Sequence, residues 1–139
     1  MINNVTLVGR LGHEVELRFL PSGKPVTRLR IATDASYTNS DGQRVEQADW
    51  HSVVVYGRSA ENCHQYLGKG SLVYVEGSLK NRRWVDQEGQ PHYAAEVSCR
   101  RIRFLGNPRR DAPPVDEPPQ ELQAAMPEPP EPDEAPEWF

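Results

Sequence analysis

The stretch that decides the fold is residues 48–84, which read ADWHSVVVYGRSAENCHQYLGKGSLVYVEGSLKNRRW. Its two ends alternate apolar and polar residues and are rich in β-branched side chains, which is typical of strands. Between them lies a short segment with one apolar side, which predicts a helix with Ser59 as its N-cap and Gly68 as its left-handed C′ residue. The stretch therefore predicts a strand, a single helix and a second strand.

Similar alternation extends to both sides of this stretch. We expect six strands, near Asn4–Leu11, Glu14–Leu20, Val26–Ser36, Ala48–Gly57, Leu72–Trp84 and Tyr93–Phe104. Thr38–Gln47 and Asp86–Gln90 are predicted to be hairpin loops. Strands, one helix and further strands form the element order of an OB-fold, a five-stranded Greek-key barrel. We therefore predict an all-β OB-fold domain over residues 1–106, with the short helix plugging one end of the barrel.

Charge divides the chain into two parts. All sixteen Lys and Arg residues lie within residues 1–110, beside eleven acidic residues, so this part carries a net charge of +5. Residues 111–139 hold nine acidic residues, nine of the thirteen prolines and no basic residue. Such a segment cannot bury enough apolar surface to offset the entropy cost of ordering the chain. We predict a disordered acidic, Pro-rich tail over residues 107–139 that binds a protein partner, and a basic domain that binds a polyanion.

Aromatic and cationic side chains of equal parity share one face of two predicted strands. They are Trp50 and Tyr56 in the first, and Lys80, Arg82 and Trp84 in the second. The opposite face of the second strand carries Val73, Val75 and Leu79, which we expect in the core. Cations hold phosphates, and flat rings stack on unpaired bases at about 1–3 kcal/mol per base. The pattern predicts a surface for single-stranded nucleic acid, and core packing is the alternative for each ring.

Other residues with related chemistry are less clearly placed. Tyr37 opens the polar loop and is expected to be exposed, and Arg83 ends its strand and can face either side. Arg28 and Arg30 share a parity, so their face is either part of the site or plain solvated sheet. Three further aromatic residues are expected to pack in the core or between subunits, namely Tyr66, Tyr74 and Phe104.

Catalytic motifs are missing from the sequence. The four histidines are scattered without zinc-ligand spacing, and no serine-hydrolase, zinc-protease or P-loop pattern occurs. We expect no catalytic residue, no metal site and no cofactor. Cys63 and Cys99 form no CxxC pair and are predicted to be reduced thiols that pack as small hydrophobic groups. No signal peptide or membrane-spanning run is found, so we expect a cytoplasmic protein without a membrane partner.

Several motifs, in the same order, resemble the bacterial single-stranded DNA-binding protein family from Met1 to about Phe104. The motifs are Val5–Gly12, Asp49–Gly57, Tyr66–Gly70, Val73–Gly77, Lys80–Trp84 and Asp86–Gly89. The resemblance implies an OB-fold that assembles as a homotetramer and binds single-stranded DNA without sequence preference. It also implies a nucleoid-associated protein whose acidic tail recruits replication, recombination and repair proteins.

The resemblance further implies roles for individual residues. The stacking aromatics of the family match Tyr37, Trp50, Tyr56 and Trp84, and its basic groove residues match Arg58, Lys69, Lys80, Arg82 and Arg83. The partner-binding tip of the tail corresponds to Asp133, Glu134, Glu137, Trp138 and Phe139. The tip departs from the family pattern because Glu137 separates Pro136 from the aromatic pair.

Two other functional classes remain as alternatives. An OB-fold adaptor of the primosome type would use the tail as its working part, and its contact with nucleic acid would be incidental. An OB-fold nuclease would need a carboxylate cluster, whereas the acidic residues of the predicted domain are dispersed.

Overall fold

A computed structural model describes residues 1–106, and the predictions for residues 107–139 fall outside the described residues. The elements are β1 (Val5–Leu11), β2 (Arg18–Phe19), β3 (Pro25–Asp34), β4 (Tyr37–Thr38), β5 (Arg44–Val45), β6 (Ala48–Tyr56), α1 (Arg58–Tyr66), β7 (Leu72–Val85) and β8 (Pro91–Gly106). No helix within this part of the chain is long and apolar enough to cross a bilayer.

Five long strands close into a barrel. The sheet runs in the order β1-β7-β8-β6-β3-β2, and a further pairing of β1 with β3 joins its two sides at Leu11↔Ile31. Every pairing in this sheet is antiparallel except that of β6 with β8, where Val53 lies beside Val97. This arrangement confirms the predicted all-β OB-fold, a five-stranded Greek-key barrel with one short helix.

The core lies inside the barrel and takes alternate residues from its strands. Leu29, Ile31, Val53, Val55, Val73 and Val75 are fully buried there. From α1, Ala60 and Cys63 enter the same cluster, so the helix covers one end of the barrel as predicted. Both cysteines are free thiols, and burial raises the pKa of Cys63 to about 12 and that of Cys99 to about 11. They therefore stay protonated and pack as small apolar groups.

Two glycines allow strands to approach closely. A Cβ atom on Gly77 would lie 2.1 Å from the carbonyl oxygen of Ser98, and one on Gly9 would lie 2.3 Å from that of Ala32. At Gly77 the register with β8 also shifts, because Glu76 pairs with Arg101 and Gly77 with Cys99. The extra residue between those partners makes a β-bulge, which bends β8 around the barrel.

The predicted strand Glu14–Leu20 is mostly wrong, since only the two residues of β2 pair with β3. Val15 is buried and Leu17 is partly buried between exposed neighbours, but the alternation ends at exposed Phe19 and buried Leu20, and much of this segment is irregular chain. Side chains satisfy part of its backbone. The carbonyl of Glu16 accepts a hydrogen bond from Thr27 Oγ1, and that of Val15 accepts one from His64 Nδ1.

The predicted caps of the helix are also wrong. The N-cap is Gly57, with φ 70° and ψ −146°, and no side chain of the described residues caps the helix. Because β6 runs directly into α1, the turn requires a conformation that glycine adopts readily, and Ser59 lies inside the helix. At the other end Gly70, and not Gly68, has the positive φ, while the N–H of Gly68 donates to Ser71 Oγ.

The β7–β8 hairpin extends beyond the barrel, which corrects the prediction for Leu79. Its side chain is 44% exposed although its cross-strand partner Val97 is buried in the core, because β7 pairs with β1 only as far as Gly77 and Leu79 lies beyond that point. The turn at Asp86–Gln90 is confirmed, with Gly89 at φ 79°. The predicted loop Thr38–Gln47 contains a small ribbon of β4 and β5, whose turn is held by hydrogen bonds to Asn39 Oδ1.

Candidate nucleic-acid interface

Four strands contribute side chains to one outer surface of the barrel, which we call the aromatic–basic face. It comprises Arg28 and Arg30 of β3, Trp50, Ser52 and Tyr56 of β6, Lys80, Arg82 and Trp84 of β7, and His92 and Glu96 of β8. Directly paired residues point to the same side of a sheet. The pairs Arg30↔Ser52, Lys80↔Glu96 and Trp84↔His92 therefore place these residues together, opposite the core.

Glu96 lies at the centre of this face. Glu96 is only 4% exposed. One of its carboxylate oxygens accepts a hydrogen bond from Arg28 Nε at 3.0 Å, and the other accepts one from an Arg82 guanidinium nitrogen at 3.2 Å. The two arginine side chains are 17% and 12% exposed. Burial lowers the pKa of Arg28, and the Glu96 carboxylate opposes that shift. The cations expected to project into solvent are thus partly held in ion pairs.

Trp84 is stacked on a ring that sequence reasoning did not select. The indole and the His92 imidazole have centroids 5.5 Å apart and planes 19° apart. His92 Nε2 in turn lies 2.7 Å from Asp86 Oδ2, and this hydrogen bond holds the pKa of the Asp86 carboxyl below its usual value. One side of the indole is therefore covered by His92.

Trp50 and Tyr56 occupy opposite ends of β6 and are both half-buried. Six residues at about 3.3 Å each separate them, which is room for more than one base. Tyr56 packs against a small apolar cluster of Leu20, Val26 and Val54, and Lys24 Nζ lies 5.8 Å from its ring centroid. Burial raises the pKa of the Tyr56 hydroxyl, and Glu96 adds to the shift.

Three polar atoms on this face are buried and have no hydrogen-bond partner within residues 1–106. They are Arg30 Nε, Ser52 Oγ and Trp84 Nε1. A buried donor without an acceptor costs about 1–3 kcal/mol, so such groups favour a ligand that supplies acceptors. Phosphate oxygens and base carbonyls are acceptors of this kind. Burial and the charge of Arg28 both lower the pKa of Arg30.

The structure brings together only some of the predicted DNA contacts. Trp50, Tyr56, Lys80, Arg82 and Trp84 lie on the aromatic–basic face. The other four lie elsewhere. Tyr37 is exposed on β4, Arg58 lies at the start of α1, and Lys69 lies on the loop after α1. Arg83 lies on the opposite side of β7, where its guanidinium carbon is 5.6 Å from the centroid of the Tyr93 ring. The tail positions from Asp133 to Phe139 are outside the described residues.

Sequence reasoning missed His92, Ser52 and Glu96 and left the two β3 arginines open. The predicted hairpin turn at Asp86–Gln90 is a sequence signal that could have identified His92 and Glu96. Counting residues outward from the turn pairs Trp84 with His92 and Lys80 with Glu96. No comparable local signal connects β3 to β8.

Three aromatic residues that were expected in the core or between subunits are not in the core. Tyr66 is 61% exposed and its ring centroid lies 6.5 Å from that of Phe104, which is also exposed. Tyr74 is half-buried and donates its hydroxyl to Glu76. Within residues 1–106, no group of three or more His, Cys, Asp or Glu side chains is arranged to hold a metal ion.

Comparisons with known proteins agree on one family. Residues 2–105 match the model of the single-strand binding protein family. A crystal structure of a deletion mutant of the single-stranded DNA binding protein from Thermus aquaticus is 31% identical, with a TM-score of 0.65. The match covers 76% of this chain and 51% of that one, so this chain spans about half of the Thermus protein. An SSB from Plasmodium falciparum, in complex with single-stranded DNA, is 30% identical with a TM-score of 0.68, over 76% of this chain and 97% of that one.

Proposed function

Because this chain belongs to the single-strand binding protein family, we propose that it binds single-stranded DNA without sequence preference through the aromatic–basic face. One observation carries the proposal: strand register places rings and cations side by side on one outer face. Rings stack on any base and cations contact any phosphate, so this combination needs no particular sequence. The buried donors Arg30 Nε, Ser52 Oγ and Trp84 Nε1 add unfilled hydrogen-bonding capacity.

The first prediction tests this face with the double variant Trp50→Ala/Trp84→Ala. Each lost stacking contact costs about 1–3 kcal/mol, so affinity for labelled oligo(dT), measured by fluorescence anisotropy, should fall at least about tenfold. Tyr66→Ala removes an exposed aromatic ring that lies away from the face and should leave affinity unchanged. Unfolding temperatures confirm that the variants fold. Unchanged affinity in the double variant would show that the face is wrongly assigned.

The remaining predicted contacts belong to the same proposal. Tyr37, Arg58 and Lys69 would extend the DNA path beyond the aromatic–basic face on exposed parts of neighbouring elements, and Arg83 would contact DNA that passes to the opposite side of β7. We also propose a homotetramer, as the resemblance to the family implies, and light scattering of the purified protein tests it. In cells the protein would protect single strands during replication, recombination and repair.

The acidic segment is proposed to recruit partner proteins of these processes. Its support is chemical: residues 111–139 carry nine acidic residues and no basic one, and end in the aromatic pair Trp138-Phe139. Deleting that pair should abolish pull-down of partners and leave oligo(dT) affinity unchanged. The adaptor alternative rests on the same segment. Pull-down that depends on the pair, with DNA affinity only in the non-specific range of about 10⁻⁴–10⁻⁶ M, would favour the adaptor.

A further inference from the structure

Glu96 is an acidic residue at the centre of a face proposed to bind a polyanion. A carboxylate at such a place repels phosphates, and its burial carries a desolvation cost. Its contacts offset this cost, because each carboxylate oxygen forms an ion pair with one guanidinium group. The oxygens lie 3.0 Å from Arg28 Nε and 3.2 Å from a terminal nitrogen of Arg82. The two arginines come from different strands, β3 and β7, and both are mostly buried. Glu96 is therefore the group that compensates two neighbouring like charges.

The carboxylate presents these arginines with the same chemistry as a DNA phosphate. Both are anions with paired oxygens that accept charge-assisted hydrogen bonds from guanidinium groups. An arginine whose charge is compensated by a carboxylate displaces fewer counterions from DNA than one that is not. The position of Glu96 should therefore affect the salt dependence of binding as well as its strength.

We infer that Glu96 is a positioning residue that competes with DNA phosphates for Arg28 and Arg82. Binding of single-stranded DNA then exchanges arginine–carboxylate hydrogen bonds for arginine–phosphate hydrogen bonds. The net gain in binding free energy is therefore smaller than the gain that two arginines without a carboxylate partner would provide. Glu96 thus keeps the two guanidinium groups fixed on the aromatic–basic face in the free protein and lowers the affinity for DNA. The inference rests on the proposed function, since it concerns the same face.

The variant that tests this is Glu96→Gln, which keeps the size of the side chain and removes its charge. Oligo(dT) affinity is measured by anisotropy from about 50 to about 200 mM salt. Freeing one additional phosphate contact should steepen the slope of log K against log salt by about 0.7. Affinity at the low-salt end should rise about fivefold, as expected for one unit charge near phosphates in a wet site.

Asp49→Asn serves as the matched control. It removes the same charge from the same sheet, but Asp49 is exposed and, by parity, lies on the opposite side of β6 from Trp50. We expect little change in slope for this variant. An equal change in both variants would attribute the effect to net charge and overturn the inference.

Glu96→Gln also leaves two mostly buried cations without their carboxylate, which endangers the fold. A second pair of variants removes this problem: Arg28→Gln is compared with Arg28→Gln/Glu96→Gln, in which only Arg82 remains. The double variant should again have the steeper slope. Circular dichroism melting selects the pair that is folded.

The outcomes separate the inference from the proposal beneath it. If the wild-type protein binds oligo(dT) and loss of Glu96 leaves the slope unchanged or makes it shallower, the inference is wrong and the proposed function stands. If the wild-type protein does not bind oligo(dT), both are wrong. A steeper slope with tighter low-salt binding is a result that a merely structural role of Glu96 would not produce.

Discussion

At the scale of single residues, β8 prepares the groups that β7 presents. His92 covers one side of the Trp84 indole, and Asp86 holds the imidazole in place at 2.7 Å. Glu96 does the same for Arg82, and does so across the sheet for Arg28. Side chains that are fixed before binding lose less conformational entropy when a ligand arrives. His92 and Asp86 therefore preorganise Trp84 for stacking, whereas the ion pairs of Glu96 hold the two arginines in place in the free protein and are expected to be exchanged when phosphates bind.

The second prediction concerns His92. His92→Ala removes the ring that supports Trp84, and an aromatic pair is worth about 0.5–1.5 kcal/mol. We expect affinity for oligo(dT) to fall about two- to tenfold, in anisotropy titrations at one salt concentration. His92→Phe keeps a flat ring and should restore most of the affinity. Equal affinity of the alanine variant and the wild-type protein would mean that Trp84 needs no support.

At the scale of elements, the β7–β8 hairpin carries half of the aromatic–basic face. It begins inside the barrel, where Val73 and Val75 are buried, and continues past the barrel to the turn at Asp86–Gln90. The β-bulge beside Gly77 lies where the paired strands β7 and β8 pass from the barrel to the part of the hairpin that extends beyond it. A bulge increases local twist, so it sets the direction in which the free part of the hairpin points.

The third prediction tests that junction with Gly77→Ala. The new Cβ would lie 2.1 Å from the Ser98 carbonyl oxygen, a backbone atom that can move only with its strand. Overpacking of this kind costs about 1–3 kcal/mol, measured as the free energy of unfolding in urea. Gly106→Ala is the control, because no atom of residues 1–106 lies within 4 Å of a Cβ at that position. Identical stabilities for the two variants would show that β8 shifts away without cost.

At the scale of the whole molecule, charge is separated between two segments. Residues 1–110 carry +5, and residues 111–139 carry nine acidic residues without a basic one. Opposite charges on one chain attract over a distance set by salt, about 10 Å at 0.1 M. The acidic segment is therefore expected to compete weakly with DNA for the basic domain.

The fourth prediction follows from this separation. Truncation after Arg110 should tighten oligo(dT) binding, and the gain should be largest at low ionic strength because salt screens the competition. A full-length variant with the acids of residues 111–139 replaced by their amides keeps the length and should behave like the truncated chain. Equal affinities of wild-type and truncated protein at every salt concentration would exclude competition by the segment.

The sequence by itself determined the five long strands of the barrel, the presence of one helix and the sharing of one face by several aromatic and basic residues. Alternation with a period of two is a local property, so it located the barrel strands and put Lys80, Arg82 and Trp84 on one face. Alternation could not distinguish a paired strand from an unpaired segment with a similar pattern, as at Glu14–Leu20. Whether a segment pairs depends on partner strands that are distant in the sequence.

Only the tertiary structure decided how the face is held together. Arg28 and Glu96 are 68 residues apart in the chain and meet because β6 pairs with both β3 and β8, which brings these three strands side by side in the sheet. The burial of Arg28 and Arg82 on the outer face likewise depends on side chains that strand pairing brings beside them, which is a property of the whole sheet rather than of any one segment.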